Sequence, residues 1–113
     1  MEAQDYLPLT ETSFFILLSL AASPKHGYAI IKEIEEMSEQ SVILATGTLY
    51  SAIRRMLDDG WIERVNPDPS LDDQRERKFY KLSDLGQRIL ALEAKRLQKL
   101  VSLTQLKGVR AAK

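Results

Sequence analysis

The chain has 113 residues, of which 44% are hydrophobic and 28% charged, with a formal net charge of zero and no cysteine. That length fits one domain able to bury its own core, and the composition is globular rather than disordered. It excludes a disulfide framework and a thiolate metal site, and no apolar run approaches the roughly 20 residues of a membrane span.

The first residues, Met1, Glu2, Ala3, Gln4 and Asp5, carry acid where a signal peptide carries base, so a cytoplasmic protein is expected. The neutral total conceals a polarised chain. Residues 1–40 hold two basic and seven acidic side chains, residues 41–73 three and six, and residues 74–113 eleven and three. A segregated basic surface can bind phosphate whatever the total is, although a solvated basic helix produces the same asymmetry.

Thr10 and Thr12 follow Pro8 and Leu9 as candidate N-caps, because a hydroxyl can accept from the unpaired N–H groups of a first turn. The apolar segment behind them reads as a buried helix to about Ala22, broken by Ser23, Pro24, Lys25, His26 and Gly27. From Tyr28 to Met37, Ile30, Ile31 and Ile34 stand at helical spacing among Lys32, Glu33, Glu35 and Glu36, an amphipathic helix. Residues 38–46 form a connection, and a third helix is expected from Thr46–Thr48 to Gly60, where glycine suits the left-handed stop.

Trp61–Val65 and Lys78–Leu82 have β character, separated by a strong loop signal from Asn66 to Gln74. Ser83 can cap a last helix that runs to about Lys107 and stops at Gly108. The expected fold is therefore mainly α with a small β-hairpin: a winged helix-turn-helix over residues 1–82, and a C-terminal dimerisation helix and tail over 83–113, in one compact unit.

Three segments carry the chemistry. In GTLYSAIRRMLDDG (47–60), Leu49, Ile53, Met56 and Leu57 fall on one side, while Gly47, Tyr50, Ser51, Arg54, Arg55 and Asp58 fall on the other. A recognition helix needs this two-sided build, one face anchored to the core and the other offering donors to bases and phosphates. An ordinary amphipathic surface helix has it too. In the wing, residues 62–82, Arg75, Arg77, Lys78 and Lys81 suit contact with the DNA backbone, and Asp68, Asp72 and Asp73 in the same loop do not. In the last helix, Leu85, Ile89 and Leu92 can cover the core. Leu90, Leu97, Val101 and Thr104, broadened by Leu100, Leu103 and Leu106, form a second stripe expected to pair with a second copy. The alternative is that this helix folds back onto its own domain.

His26 is the only histidine, and with no cysteine it reads as a turn residue rather than a metal ligand. No Gly-rich phosphate loop exists, and a lone histidine makes a Ser-His-Asp site improbable, so neither catalysis nor a cofactor is expected. Trp61, Phe14 and Phe15 read as core; Tyr6 could pack against a partner's last helix.

At GTLYSAIRRMLDDGWI the chain resembles the PadR family of transcriptional regulators, and the resemblance extends to LTETSFFILLSLAASPKHGYAIIKEIEE and RERKFYKLSDLG, covering residues 8 to about 105. It implies a homodimeric winged helix that binds double-stranded operator DNA, commonly as a repressor, sometimes relieved by a small-molecule effector. Thr48, Tyr50, Ser51 and Arg54 would then contact DNA, with Arg77 and Lys78 serving in the wing. The chain resembles the shorter branch of the family, with one C-terminal helix. Position 51, often proline in the family, is serine here, and the last helix has no aromatic residue on which a flat effector could stack. The rival reading is a winged-helix module that binds protein and has no specific DNA site.

Overall fold

A computed structural model describes residues 2–65 and 78–110. A short 3-10 helix, Ala3–Tyr6, leads into α1 (Glu11–Ser19), β1 (Lys25–His26), α2 (Gly27–Met37), α3 (Thr46–Asp58), β2 (Ile62–Val65), β3 (Phe79–Leu82) and α4 (Asp84–Leu106). Three helices, a strand pair and a long final helix thus follow in the expected order. Ile16, Leu17, Ile30, Ile34, Leu49, Ile53, Met56, Ile62, Tyr80 and Ile89 meet in one core drawn from every helix and from both longer strands.

The caps follow from local chemistry. Thr10 Oγ1 accepts from the Ser13 N–H at 3.1 Å, and Ser83 Oγ accepts from the Gly86 N–H at 3.0 Å, so two of the expected caps are in place. Past α3, Gly60 sits at φ +78, with its N–H donating to Leu57 O and the Trp61 N–H to Met56 O. These paired bonds are a Schellman stop, and the left-handed φ is why glycine stands there. α1 ends earlier than its apolar run, at Ser19, because Ser19 Oγ donates to Ile16 O and the chain turns at Leu20. The run from Leu20 to Ala22 therefore leaves the helix.

The sheet has one strand more than the hairpin alone, in the order β1-β3-β2 and antiparallel throughout. Lys25 pairs with Tyr80 and His26 with Phe79. A two-residue strand is too short to show a period-2 pattern, and Pro24 and Gly27 mark it as a turn in the sequence. His26 does both jobs: it closes β1, and its Nδ1 accepts from the Ala29 N–H at 3.2 Å as the N-cap of α2.

The sequence KLSDLG (81–86) locks α4 to the wing. Ser83 donates its hydroxyl to Gly60 O and its N–H to Trp61 O, so one residue ties the end of α3, the start of β2 and the start of α4 together. Gly86 lies so close that any Cβ there would collide with the Trp61 carbonyl. Trp61 is buried as expected, and Tyr6 packs edge-on against its ring at 5.1 Å. Tyr6 is thereby engaged within its own domain.

Ile89 and Leu90 of α4 are buried in the core, whereas Leu92 is exposed; the turn that Leu92 was expected to cover is filled by Glu93. Glu93 is 1% exposed, and its Oε2 accepts from the Leu9 N–H at 2.8 Å and from Arg96 Nη2 at 3.0 Å. Arg96 Nε also donates to Oε1. A carboxylate so placed is tolerable because its oxygens are paired. The Arg96 guanidinium, above all, holds the carboxyl below the usual glutamate range; burial opposes this and the Leu9 N–H adds to it.

Candidate nucleic-acid interface

α3 is two-sided as its sequence requires. Leu49, Ile53 and Met56 are buried, and Gly47, Thr48, Tyr50, Ser51, Arg54, Arg55 and Asp58 are exposed. Ala45 precedes the helix without a side-chain cap, which leaves the first N–H groups of α3 facing outward beside exposed Thr46 and Thr48. Such an end carries partial positive charge and suits a phosphate oxygen.

Tyr50 is placed by a contact with α2. A Cβ built on Gly27 would stand 2.5 Å from the Tyr50 hydroxyl and 2.9 Å from Cζ, so the ring lies directly on the glycine. This explains the HGY turn: His26 caps α2, Gly27 makes room for Tyr50, and Tyr28 is left exposed with Lys32 5.9 Å from its ring centroid. The outer residues of α3 do not all point the same way. Arg55 reaches back toward α1, where its Nη2 donates to Ser13 Oγ at 3.4 Å.

Between α3 and the sheet lies a cleft of about 150 Å³, lined by Tyr50, Ile53, Arg54, Leu57, Arg64, Lys78 and Tyr80. Strand register explains it. Arg64 pairs with Tyr80 and Ile62 with Leu82, so these four share the face turned toward the core. Ile62 and Tyr80 are buried, and farther from the core the same face carries exposed Arg64. Lys81 is on the opposite face, opposite Glu63 in register and 3.9 Å from its carboxylate. It is therefore not grouped with Lys78.

Arg64 was missed in the sequence because a lone arginine in a four-residue strand gives no period; its importance comes only from register with Tyr80. The Tyr80 hydroxyl is pushed up from its ordinary range, first by burial and then by the neighbouring Tyr50, with Arg64 pulling the other way. Arg75 and Arg77, expected in the wing, lie outside the described residues, as do Asp68, Asp72 and Asp73. Among the described residues no cluster of side chains has the makings of a metal site, and no helix is long and apolar enough to cross a membrane.

α4 outruns its domain. At about 100° per residue, Leu97, Leu100, Val101 and Thr104 continue the face that Gly86, Ile89, Leu90 and Glu93 turn into the core. Leu90 is thus spent within its own chain, and Leu97 is half-buried. Leu100, Val101 and Leu103 are 46%, 57% and 49% exposed, and Thr104 is exposed as well.

The model of the transcriptional regulator PadR-like family matches residues 16–92, more than half of the chain and all of the cleft-forming elements. The chain belongs to this family. No curated protein matches it by sequence. Solved structures of PadR-like regulators share the fold. A PadR family transcription regulator from Clostridium difficile R20291 superposes with a TM-score of 0.69 at 23% identity, covering 86% of this chain and 97% of that one. A PadR-like regulator from Bacillus cereus gives 0.68 at 23%, covering 89% and 93%. Bacillus subtilis PadR, solved in complex with operator DNA, gives 0.62 at 22%, covering 74% of this chain and 46% of that one. The match thus spans under half of the DNA-bound relative, and this PadR-like chain is a transcriptional regulator with the winged-helix architecture.

Proposed function

We propose that this PadR-like regulator binds double-stranded operator DNA as a homodimer and represses the genes so marked. The observation that carries the reading is the shared cleft. Tyr50 and Arg54 of α3 line it together with Arg64 and Lys78 of the wing, so helix and wing form one continuous basic surface. α3 would enter the major groove, with Thr48, Ser51 and Arg54 toward base edges and Tyr50 toward the backbone; the wing, with Lys78 and the expected Arg75 and Arg77, would follow the phosphates. Bacillus subtilis PadR, solved with operator DNA, supports this use of the fold. Arg55, which leans on Ser13, would serve the backbone on the α1 side.

The apolar face left over on α4, Leu97, Leu100, Val101, Leu103 and Thr104, supports pairing with a second copy. A two-fold pair would set two recognition helices roughly one DNA turn apart. Cytoplasmic residence and the absence of catalysis accompany the regulator reading.

Fluorescence anisotropy on DNA from upstream of the gene, at two salt concentrations and with Tyr50→Ala beside the native protein, tests the DNA reading. Saturable binding that falls with salt and weakens in the variant is expected. Weak binding, equal on unrelated DNA and indifferent to Tyr50, would overturn it. Val101→Glu tests the dimer in size-exclusion chromatography: a monomer is expected, and an unchanged dimer places the interface elsewhere.

A further inference from the structure

The α3–wing cleft is cationic for a geometric reason, and the same geometry says what fits it. Arg54 comes from α3, Arg64 from β2 and Lys78 from the start of β3, and none of the lining residues among those described is acidic. Tyr50 and Tyr80 add two phenolic hydroxyls, while Ile53 and Leu57 supply the apolar part of the lining. Three cationic groups and two neutral donors around about 150 Å³ suit a compact, singly charged tetrahedral anion with several acceptor oxygens. We infer that the cleft is a seat for one phosphate group, a phosphodiester of the bound duplex, gripped between recognition helix and wing, with Arg64 as its principal ligand.

The inference rests on the DNA reading and sharpens it. The seam between α3 and the sheet is where a backbone must pass if α3 occupies the major groove and the wing lies along the adjoining phosphates. With α3 in the major groove, base edges would meet its outermost face, around exposed Gly47 and Ser51, rather than this seam. Arg54, which borders both the outer face of α3 and this seam, shares the phosphate with Arg64, and Arg64 matters at least as much.

Two features prepare the seat. Tyr80 is 3% exposed, its ring fixed in the core and its backbone paired on both sides, so it loses little freedom when an anion arrives. Its phenol is protonated at neutral pH and can donate to an anion; burial and then Tyr50, against Arg64, push the hydroxyl further up. Arg64, opposite it in register, presents a planar fork that can bond two phosphate oxygens at once.

The test uses the full chain with Arg64→Ala and Arg64→Lys, checked first by circular dichroism. Affinities are measured across a salt series on operator and unrelated duplexes, and inorganic pyrophosphate is titrated in parallel while the tyrosine resonances are followed by NMR. Arg64→Ala should weaken both duplexes by the same several-fold factor and flatten the slope of log affinity against log salt by about one per protomer, hence about two for the dimer. Arg64→Lys should restore the slope and only part of the affinity. A loss confined to the operator would make Arg64 a base reader and overturn the seat. If duplex binding ignores Arg64 but pyrophosphate shifts Tyr80 in the native chain and not in Arg64→Ala, the phosphate comes from a free ligand. If neither assay responds to Arg64, the seat does not exist. A native chain that binds no duplex defeats the DNA reading, and the pyrophosphate titration then judges the seat by itself.

Discussion

The ring of Tyr50 rests on the backbone of Gly27, so close that a methyl group at position 27 would meet the tyrosine hydroxyl at 2.5 Å. This one contact couples the first turn of α2 to the outward face of α3. Tyr50 is 43% exposed and can swing away, so Gly27→Ala should leave the fold intact. Gly27 is the first helical residue of α2, where alanine is the better helix former by up to about 1 kcal/mol. Gly27→Ala should therefore melt at the native temperature or above it while binding DNA several-fold more weakly. Thermal unfolding and anisotropy on the same sample check this. Unchanged affinity would mean that the position of Tyr50 is irrelevant to binding.

Glu93 makes a stability prediction with a defined pH window. Its folded-state carboxyl titrates below the unfolded value because Arg96 and the Leu9 N–H favour the charged form. The contribution is thus complete above the unfolded glutamate pKa of about 4.3 and is lost as pH falls through the lower folded value. Glu93→Gln should cost about 1.5–3 kcal/mol near neutrality, the size of a buried charge-assisted hydrogen bond lost. The gap between the two proteins should narrow as pH falls below the unfolded glutamate value and close only beneath the lower folded one. Urea titrations at pH 7 and at a series of acid pH values, at one protein concentration, follow it; a gap independent of pH would deny the carboxylate this role.

Much of the fold was legible because its signals are local. Thr10, Ser83 and Gly60 announce helix ends through capping and a left-handed turn, and the alternation of apolar and polar positions in 47–60 gives α3 both its faces. What stayed hidden depends on register or on distant partners. β1 is only Lys25 and His26, and it exists because β3 offers an edge to it. Glu93 sits at a position of α4 where the helical period calls for an apolar residue, and it is accepted there because Leu9, 84 residues away, and Arg96 satisfy it. Of the candidate site, the exposed face of α3 was readable, whereas Arg64 became visible only once strand pairing set it opposite Tyr80. Leu90 belongs by helical phase to the apolar stripe, but the core reaches farther along α4 than the sequence reveals.

Gly86 predicts a severe effect from one methyl group. Here the obstacle is the Trp61 carbonyl, which is backbone, and Ser83 donates its own N–H to that same oxygen. Neither side can yield without breaking the tie between α4 and the wing. Gly86→Ala should cost at least about 3 kcal/mol, at the upper end for an overpacked core, and lower the melting temperature by roughly 10 °C or more. Gly47→Ala is the matched control, since nothing lies within 4 Å of a Cβ there. Equal melting temperatures for the two variants would refute this account of the KLSDLG segment.

The turn between α2 and α3 makes the opposite prediction, because it is built without glycine. Glu39 and Gln40 stand at φ 52 and φ 66, and their N–H groups close α2 by donating to Glu36 O and Glu35 O. This is the same stop that Gly60 provides after α3, made here by a residue whose Cβ disfavours the left-handed conformation by about 1–2 kcal/mol. Glycine at position 39 removes that strain but gives the unfolded chain more freedom, worth about 0.4–1 kcal/mol. Glu39→Gly should therefore stabilise the protein by up to about 1 kcal/mol, and Glu39→Val, with a branched Cβ, should destabilise it. Because the turn sets the angle between α2 and α3, DNA affinity measured on both variants separates strain from function. If Glu39→Gly gains stability and keeps its affinity, the strain is incidental. If it gains stability and loses affinity, the left-handed Glu39 holds α3 at the angle the duplex requires.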